Sequence, residues 1–105
     1  MSEQQNDVKV ENNTEAQRFE ARLDGHLAMA EYSLTGEGMR FTHTVVPPEL
    51  GGRGIGSQLA KAGMDHCRAH GLAVLPDCSF IAGYIKKHPE CHDLLHPSYR
   101  ESLGI

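Results

Sequence analysis

Apolar and polar positions change their spacing once along the chain, and the change divides it in two. "VKVE" at Val8 to Glu11 alternates, and "NNTE" breaks the alternation. It resumes in "RFEARLD", Arg18 to Asp24, with Phe19, Ala21 and Leu23 on one face. Gly25 follows Asp24 as a hairpin-turn signal, a further strand is expected over His26 to Leu34, "TGEG" supplies another turn, and a third run spans Met39 to Val46. Short glycine turns between strands imply antiparallel pairing. In the last run, alternation assigns Phe41, His43 and Val45 to one face and Thr42, Thr44 and Val46 to the other.

After Pro47 and Pro48 the period lengthens to about 3.6. Ile55, Leu59, Ala62 or Gly63, and Cys67 then share a face, with Ser57, Gln58, Lys61, Asp65 and Arg68 mostly opposite, and Gly71 stands where a helix C-terminal cap belongs. "LAVLP" is continuously apolar, as in a strand covered on both faces, so strand, helix and strand make a parallel pair through an expected right-handed crossover. Asp77 or Ser79 is placed to cap a second helix from Phe80 to about His88, which ends in Lys86, Lys87 and His88 before Pro89. A short helix is expected from Glu90 to Leu95, and no element is assigned from Ser98 onward. The fold class is α/β (α+β): antiparallel hairpins, a strand-helix-strand crossover and a C-terminal helix, forming one mixed sheet.

Composition narrows the setting. A chain of 105 residues reads as one domain, over 8–105, with the polar, unpatterned Met1 to Asp7 expected to be a disordered tail. Its three cysteines, Cys67, Cys78 and Cys91, are odd in number and unpaired in spacing, and no apolar leader precedes the first strand-like run, so a reducing, cytoplasmic setting without disulfides is expected. The apolar runs fall far short of the roughly 20 residues that span a bilayer, so no membrane partner is expected. A net charge of −4 gives no general footprint for nucleic acid, so an anionic ligand needs a local site, while a cationic acceptor such as an amine suits the surface.

That local site is "TVVPPELGGRGIGSQL": an extended run, two prolines, then four glycines within the six positions Gly51 to Gly56, then the helix. A strand feeding a helix through such a loop directs backbone N–H groups and the positive end of the helix dipole at one point, which favours phosphate. The nucleotide-triphosphate loop is excluded, because Ser57 and Gln58 follow Gly56 where lysine is required. The dinucleotide fingerprint is excluded because Leu59 occupies its third glycine position.

"VVPPELGGRGIGSQL" resembles the acetyl-CoA-binding signature of the GNAT superfamily of N-acetyltransferases, in which the loop reads Gln or Arg, two residues, Gly, one residue, Gly or Ala. Gly54 and Gly56 match the paired small positions; Gly51 stands at the Gln/Arg position, so that either Arg53 compensates or backbone alone makes the contact. The resemblance implies acetyl-CoA as cofactor, held by Val45, Val46, Gly51, Gly52, Arg53, Gly54, Ile55, Gly56 and Ser57. Asp77, Phe80 and Tyr84 fall at the spacing of a superfamily Asn, Ala and Tyr, which implies Tyr84 as the acid for the departing CoA thiolate. With "PDCSF" and "YIKKHPE", the resemblance extends to a short GNAT-like subfamily and covers Phe19 to Leu95. Larger members carry two helices after the first strand and two further strands at the end; only Asn12 to Gln17 joins the first two strands here. The acceptor cleft is therefore expected to be open, or completed by another subunit, as in a homodimer, or by the substrate.

Acetyl transfer to an amine needs a neutral amine, a polarised thioester carbonyl and a proton for the leaving thiolate. Cys78 opens the second helix and is a candidate proton donor or acyl-accepting nucleophile, or else a small buried residue. His43 is a candidate general base or a hydrogen-bonded structural histidine, and Glu49 a further base on the loop. "HPECHDLLH" offers His88, Cys91, His92 and His96, with Cys78, as metal ligands, but adjacent Cys91 and His92 do not form a tetrahedral pair of pairs, so no metal is assigned. His66 and His70 sit at a helix end that favours them. The sequence thus points to an acetyl-CoA-dependent N-acetyltransferase acting on an amine of a small molecule or protein. The alternative is a CoA-binding or protein-interaction module with little catalysis.

Overall fold

The computed structural model describes residues 8–105, so the tail expected at Met1 to Asp7 lies outside the described residues. Five strands, β1 (Val10–Asn13), β2 (Arg18–Leu23), β3 (His26–Thr35), β4 (Gly38–Val45) and β5 (Val74–Pro76), lie side by side in chain order. The first four pair antiparallel and β4 pairs β5 in parallel, through α1 (Ile55–His70). This is the mixed sheet expected from the change of period. The β2–β3 turn has Asp24 and Gly25 both at positive φ, 54° and 77°, the backbone whose twist suits a two-residue hairpin closed by Leu23 opposite His26.

α1 and α2 (Ser79–Lys87) cover one face of the sheet. Phe19, Ala21, Ala28, Ala30, Tyr32, Met39 and Phe41 are buried there against Ile55, Leu59, Met64 and Cys67. Gly63, not Ala62, is the small residue at the helix-sheet contact: a carbon added to it would lie 2.8 Å from Phe41 Cζ. The other face is polar. There Glu20, the one buried charged residue among those described, accepts hydrogen bonds from Arg18 Nε at 2.6 Å and Asn13 Nδ2 at 3.0 Å.

Strict alternation fails in β4. Tyr32 stands opposite Phe41, but Glu31 stands opposite His43, so Thr42 is an extra residue in the strand. The bulge reverses the faces beyond it: Thr44, opposite buried Ala30, joins the helix-covered side, and His43 and Val45 join the polar side. The expected grouping of Phe41, His43 and Val45 is thereby corrected.

The C-terminal part also departs from expectation. The segment expected as a helix from Glu90 to Leu95 is a 3-10 helix over Pro89–Leu94. Leu95 then bridges Val74 in parallel, and the His96 N–H donates to the Val74 carbonyl at 2.9 Å. A 3-10 turn at Pro97–Tyr99 and α3 (Arg100–Leu103) occupy the stretch left unassigned.

Candidate active site

The glycine-rich turn runs from the end of β4 through a 3-10 turn at Pro48–Leu50 into α1. Gly52 and Gly54 have φ of 79° and 72°, which glycine alone adopts without strain, and a carbon added to either meets nothing within 4 Å. Gly54 is the N-cap of α1, so no side chain caps the helix. The first helical bond runs from the Gln58 N–H to the Gly54 carbonyl at 3.1 Å, leaving the N–H groups of Ile55, Gly56 and Ser57 in the unbonded first turn. Together with Val46, Leu50, Gly51, Gly52, Gly54 and Phe80, these residues line a cleft of about 230 Å³. A diphosphate fits such a cradle, because backbone donors converge and no side chain intervenes.

Arg53 is turned away. Its Nη1 lies 2.9 Å from Asp24 Oδ2 in the β2–β3 turn, and it does not line the cleft, so the structure favours backbone contact over a compensating arginine at this turn.

Beside the turn the sheet splits. β4 pairs β5 only where Met39 to Phe41 face Val74 to Pro76, and beyond Phe41 the β5-facing edge of β4, up to Val45, has no strand partner among the described residues. A split of this kind offers unpaired peptide groups to an extended ligand. Cys78 lies across it, buried at 9% exposure, with Sγ 3.2 Å from Thr44 Oγ1, where either atom can donate. Cys78, rather than Asp77 or Ser79, is the N-cap of α2, and its side chain makes no capping bond. Asp77 is engaged elsewhere, accepting from the Tyr99 hydroxyl and the Arg40 guanidinium. The other two cysteines belong to the core: burial pushes the Cys67 thiol up to about 12 and raises that of Cys91.

Tyr84 is not brought to the split. It lines a second cleft, also about 230 Å³, with Ser57, Ser79, Phe80, Gly83, Lys87 and His88. Ser57 and Phe80 are common to both clefts, which makes them contiguous. The Tyr84 ring stacks on His88 with centroids 3.9 Å apart, and burial, then nearby Cys91 and Glu90, raises its hydroxyl pKa, keeping it protonated at neutral pH. His43 is exposed on the opposite face of the sheet from Cys78, so the bulge separates these two candidate catalytic groups. Glu49 is exposed, 3.9 Å from His26 Nδ1.

Among the described residues no group of three or more His, Cys, Asp or Glu side chains is placed to hold a metal. The histidines of the "HPECHDLLH" segment have other partners: His88 with Glu90 at 3.0 Å, His92 with the Ile85 carbonyl at 2.9 Å and His96 with Ser98 at 2.8 Å. No helix among the described residues is long and apolar enough to cross a membrane.

Sequence reasoning did not single out Thr44, because a bulge leaves no mark in an alternating pattern, nor Lys87 as a cleft residue. The spacing of Phe80, Gly83, Tyr84 and Lys87 on α2 carried that second signal.

A family model described as GCN5-related N-acetyl-transferase matches residues 18–94, from the start of β2 to the end of the Pro89–Leu94 turn. Among curated relatives, Protein NATD1 of Mus musculus is 33% identical over 104 residues, covering 96% of this chain and 89% of its own. Protein NATD1 of Xenopus tropicalis is 33% identical over 99 residues, covering 91% of this chain and 85% of its own. Protein NATD1 of Homo sapiens is likewise 33% identical over 99 residues, covering 91% and 82%.

Proposed function

Because the chain belongs to the GCN5-related N-acetyltransferase family, we propose that it is an acetyl-CoA-dependent N-acetyltransferase acting on an amine of a small molecule or protein. The observation that carries this reading is the uncapped, glycine-lined start of α1 opening onto a split between β4 and β5. Acetyl-CoA supplies the activated acetyl group as a thioester. The N–H groups of Gly52 to Ser57 bind the diphosphate, and the unpaired edge of β4 at Thr44 and Val45, continued by Val46, orients the pantetheine amides. Leu50 and Phe80 exclude water from the apolar side of the cleft. Cys78 holds a proton at Sγ for the leaving thiolate, oriented by the Thr44 hydroxyl.

The acceptor amine must be uncharged when it attacks, and the net charge of −4 favours the approach of a cationic amine that gives its proton to solvent before it does so. The test is incubation with acetyl-CoA and a polyamine or a lysine-rich peptide. Free CoA should appear above the hydrolysis background, and the acceptor should gain the mass of one acetyl group. Saturable CoA binding without either change would leave a binding module in place of an enzyme.

A further inference from the structure

The stretch to which the sequence assigned no element ends at the mouth of the β4–β5 split. Leu95 and His96 run beside β5, and the Pro97–Tyr99 turn then carries the Tyr99 hydroxyl to Asp77, where it donates to Oδ1. Arg40 Nη1 donates to Asp77 Oδ2 and, at 3.3 Å, to the Tyr99 hydroxyl oxygen. Three segments, β4, the turn after β5 and the C-terminal stretch, are thus tied to one carboxylate. The Tyr99 hydroxyl, then the Arg40 guanidinium, holds the Asp77 carboxyl below its usual range, so it is an anion at neutral pH.

The tie lies where the two strands part. Arg40 stands opposite Leu75, one pair before the last, Phe41 with Pro76. Met39 and Phe41 are fully buried beneath the helices, so Arg40 between them projects from the other face of the sheet, and Asp77 meets it there. Cys78, the next residue, has an extended backbone, φ −96° and ψ 127°, and its thiol projects the opposite way, to Thr44 on the helix-covered side. A thiol is a weak hydrogen-bonding group, so the Thr44 contact alone holds it loosely. The peptide that carries Cys78 is fixed from the far face instead, through Asp77.

We propose that Tyr99 and Arg40 are positioning residues for Cys78: through Asp77 they fix the peptide that holds its thiol beside Thr44 in the β4–β5 split. The proposal rests on the reading of Cys78 as the proton donor to the leaving thiolate. Neither Tyr99 nor Arg40 lines the glycine-turn cleft or the cleft along α2, so both act on the transfer step and leave cofactor affinity alone.

The test compares the full chain with its Tyr99→Phe and Arg40→Gln variants by iodoacetamide labelling, read cysteine by cysteine by mass spectrometry. Cys78 is 9% exposed, and the core residues Cys67 and Cys91, at 0% and 5%, serve as internal controls. Both variants should speed labelling of Cys78 by about tenfold, the scale of one hydrogen bond to a charged group, and leave the other two unchanged. General loosening would speed all three. Tyr99→Phe alters no charge, and Arg40→Gln removes a positive one, which by itself slows a thiol, so acceleration reports release. With acetyl-CoA and a polyamine, kcat should fall about tenfold at an unchanged KM for acetyl-CoA. Unaltered Cys78 labelling, equal acceleration at all three cysteines, or a released Cys78 with unchanged kcat would overturn the proposal. Absence of turnover by the wild-type protein, or full turnover by Cys78→Ala, would instead refute the proton-donor reading beneath it, while the labelling ratio still decides whether the thiol is held.

Discussion

The two ends of α1 are built on opposite plans. At the C-terminal end several polar groups have protein partners. The N–H groups of Gly71 and Leu72 both reach the Cys67 carbonyl, His70 Nδ1 meets the His66 carbonyl, and Arg68 grips Asp93 with both terminal nitrogens and the Glu90 carbonyl with one. At the N-terminal end no side chain caps the helix, and three N–H groups precede the first helical bond. An N-terminal cap of Ser or Asp is ordinarily worth about 1 kcal/mol, so the bare end gives up stability that the other end gathers. On the function proposed above, the open end is the one that meets a ligand's oxygen atoms. Variants at the closed end, or in the middle of the helix, should change stability, and variants at the open end should change binding.

The sharpest form of this contrast lies within one residue type. Gly63 and Gly56 both sit under an aromatic ring, but Phe41 is fully buried whereas Phe80 is 42% exposed. Gly63→Val should therefore overpack the core and cost about 1–3 kcal/mol, read as a lower denaturant midpoint, with residual CoA affinity in the folded fraction. Gly56→Ala should push Phe80 into the clefts it lines, lowering CoA affinity by about tenfold or more, or about 1.4 kcal/mol, while the midpoint moves little. If Gly56→Ala lost stability and kept affinity, the distinction between the two ends would collapse.

At the closed end, Gly71 has φ of 66°, so Gly71→Ala should cost about 1 kcal/mol through left-handed strain, with unchanged titration by acetyl-CoA. The smallest effect is expected of Arg68→Ala. Arg68 holds the Asp93 carboxyl below its usual range, so the pair contributes stability above the ordinary carboxylate pKa and loses it as pH falls through the lower, folded value. Both groups are solvent-exposed, so the difference between variant and wild type should be small at neutral pH, shrink in high salt and vanish in acid.

Much of this arrangement is legible in the sequence, and the parts that are not have physical causes. The hairpins follow from alternation and from Asp24-Gly25, α1 from its period and from Gly71, and the glycine-rich turn from Gly51 to Gly56, because each of these is a local rule. The side of the sheet on which His43 falls is not local, since the bulge at Thr42 depends on how β3 and β4 register. Arg53 was read as part of the turn because it lies between glycines, yet its partner Asp24 is distant in sequence. Tyr84 and Cys78 stand close together in the sequence, but six positions span more than one and a half turns, and only the fold shows that Cys78 lies beside Thr44 at the split while Tyr84 lines the second cleft.

The central claim is that the start of α1 holds the phosphates of acetyl-CoA. Titration of isotopically labelled protein with acetyl-CoA, followed by amide chemical shifts, tests it most directly. Saturable shifts concentrated at Gly52 to Ser57 and Phe80, with Arg68 to Leu72 unmoved, are the predicted result; saturation with the glycine-turn amides unmoved, or no saturation, would contradict it.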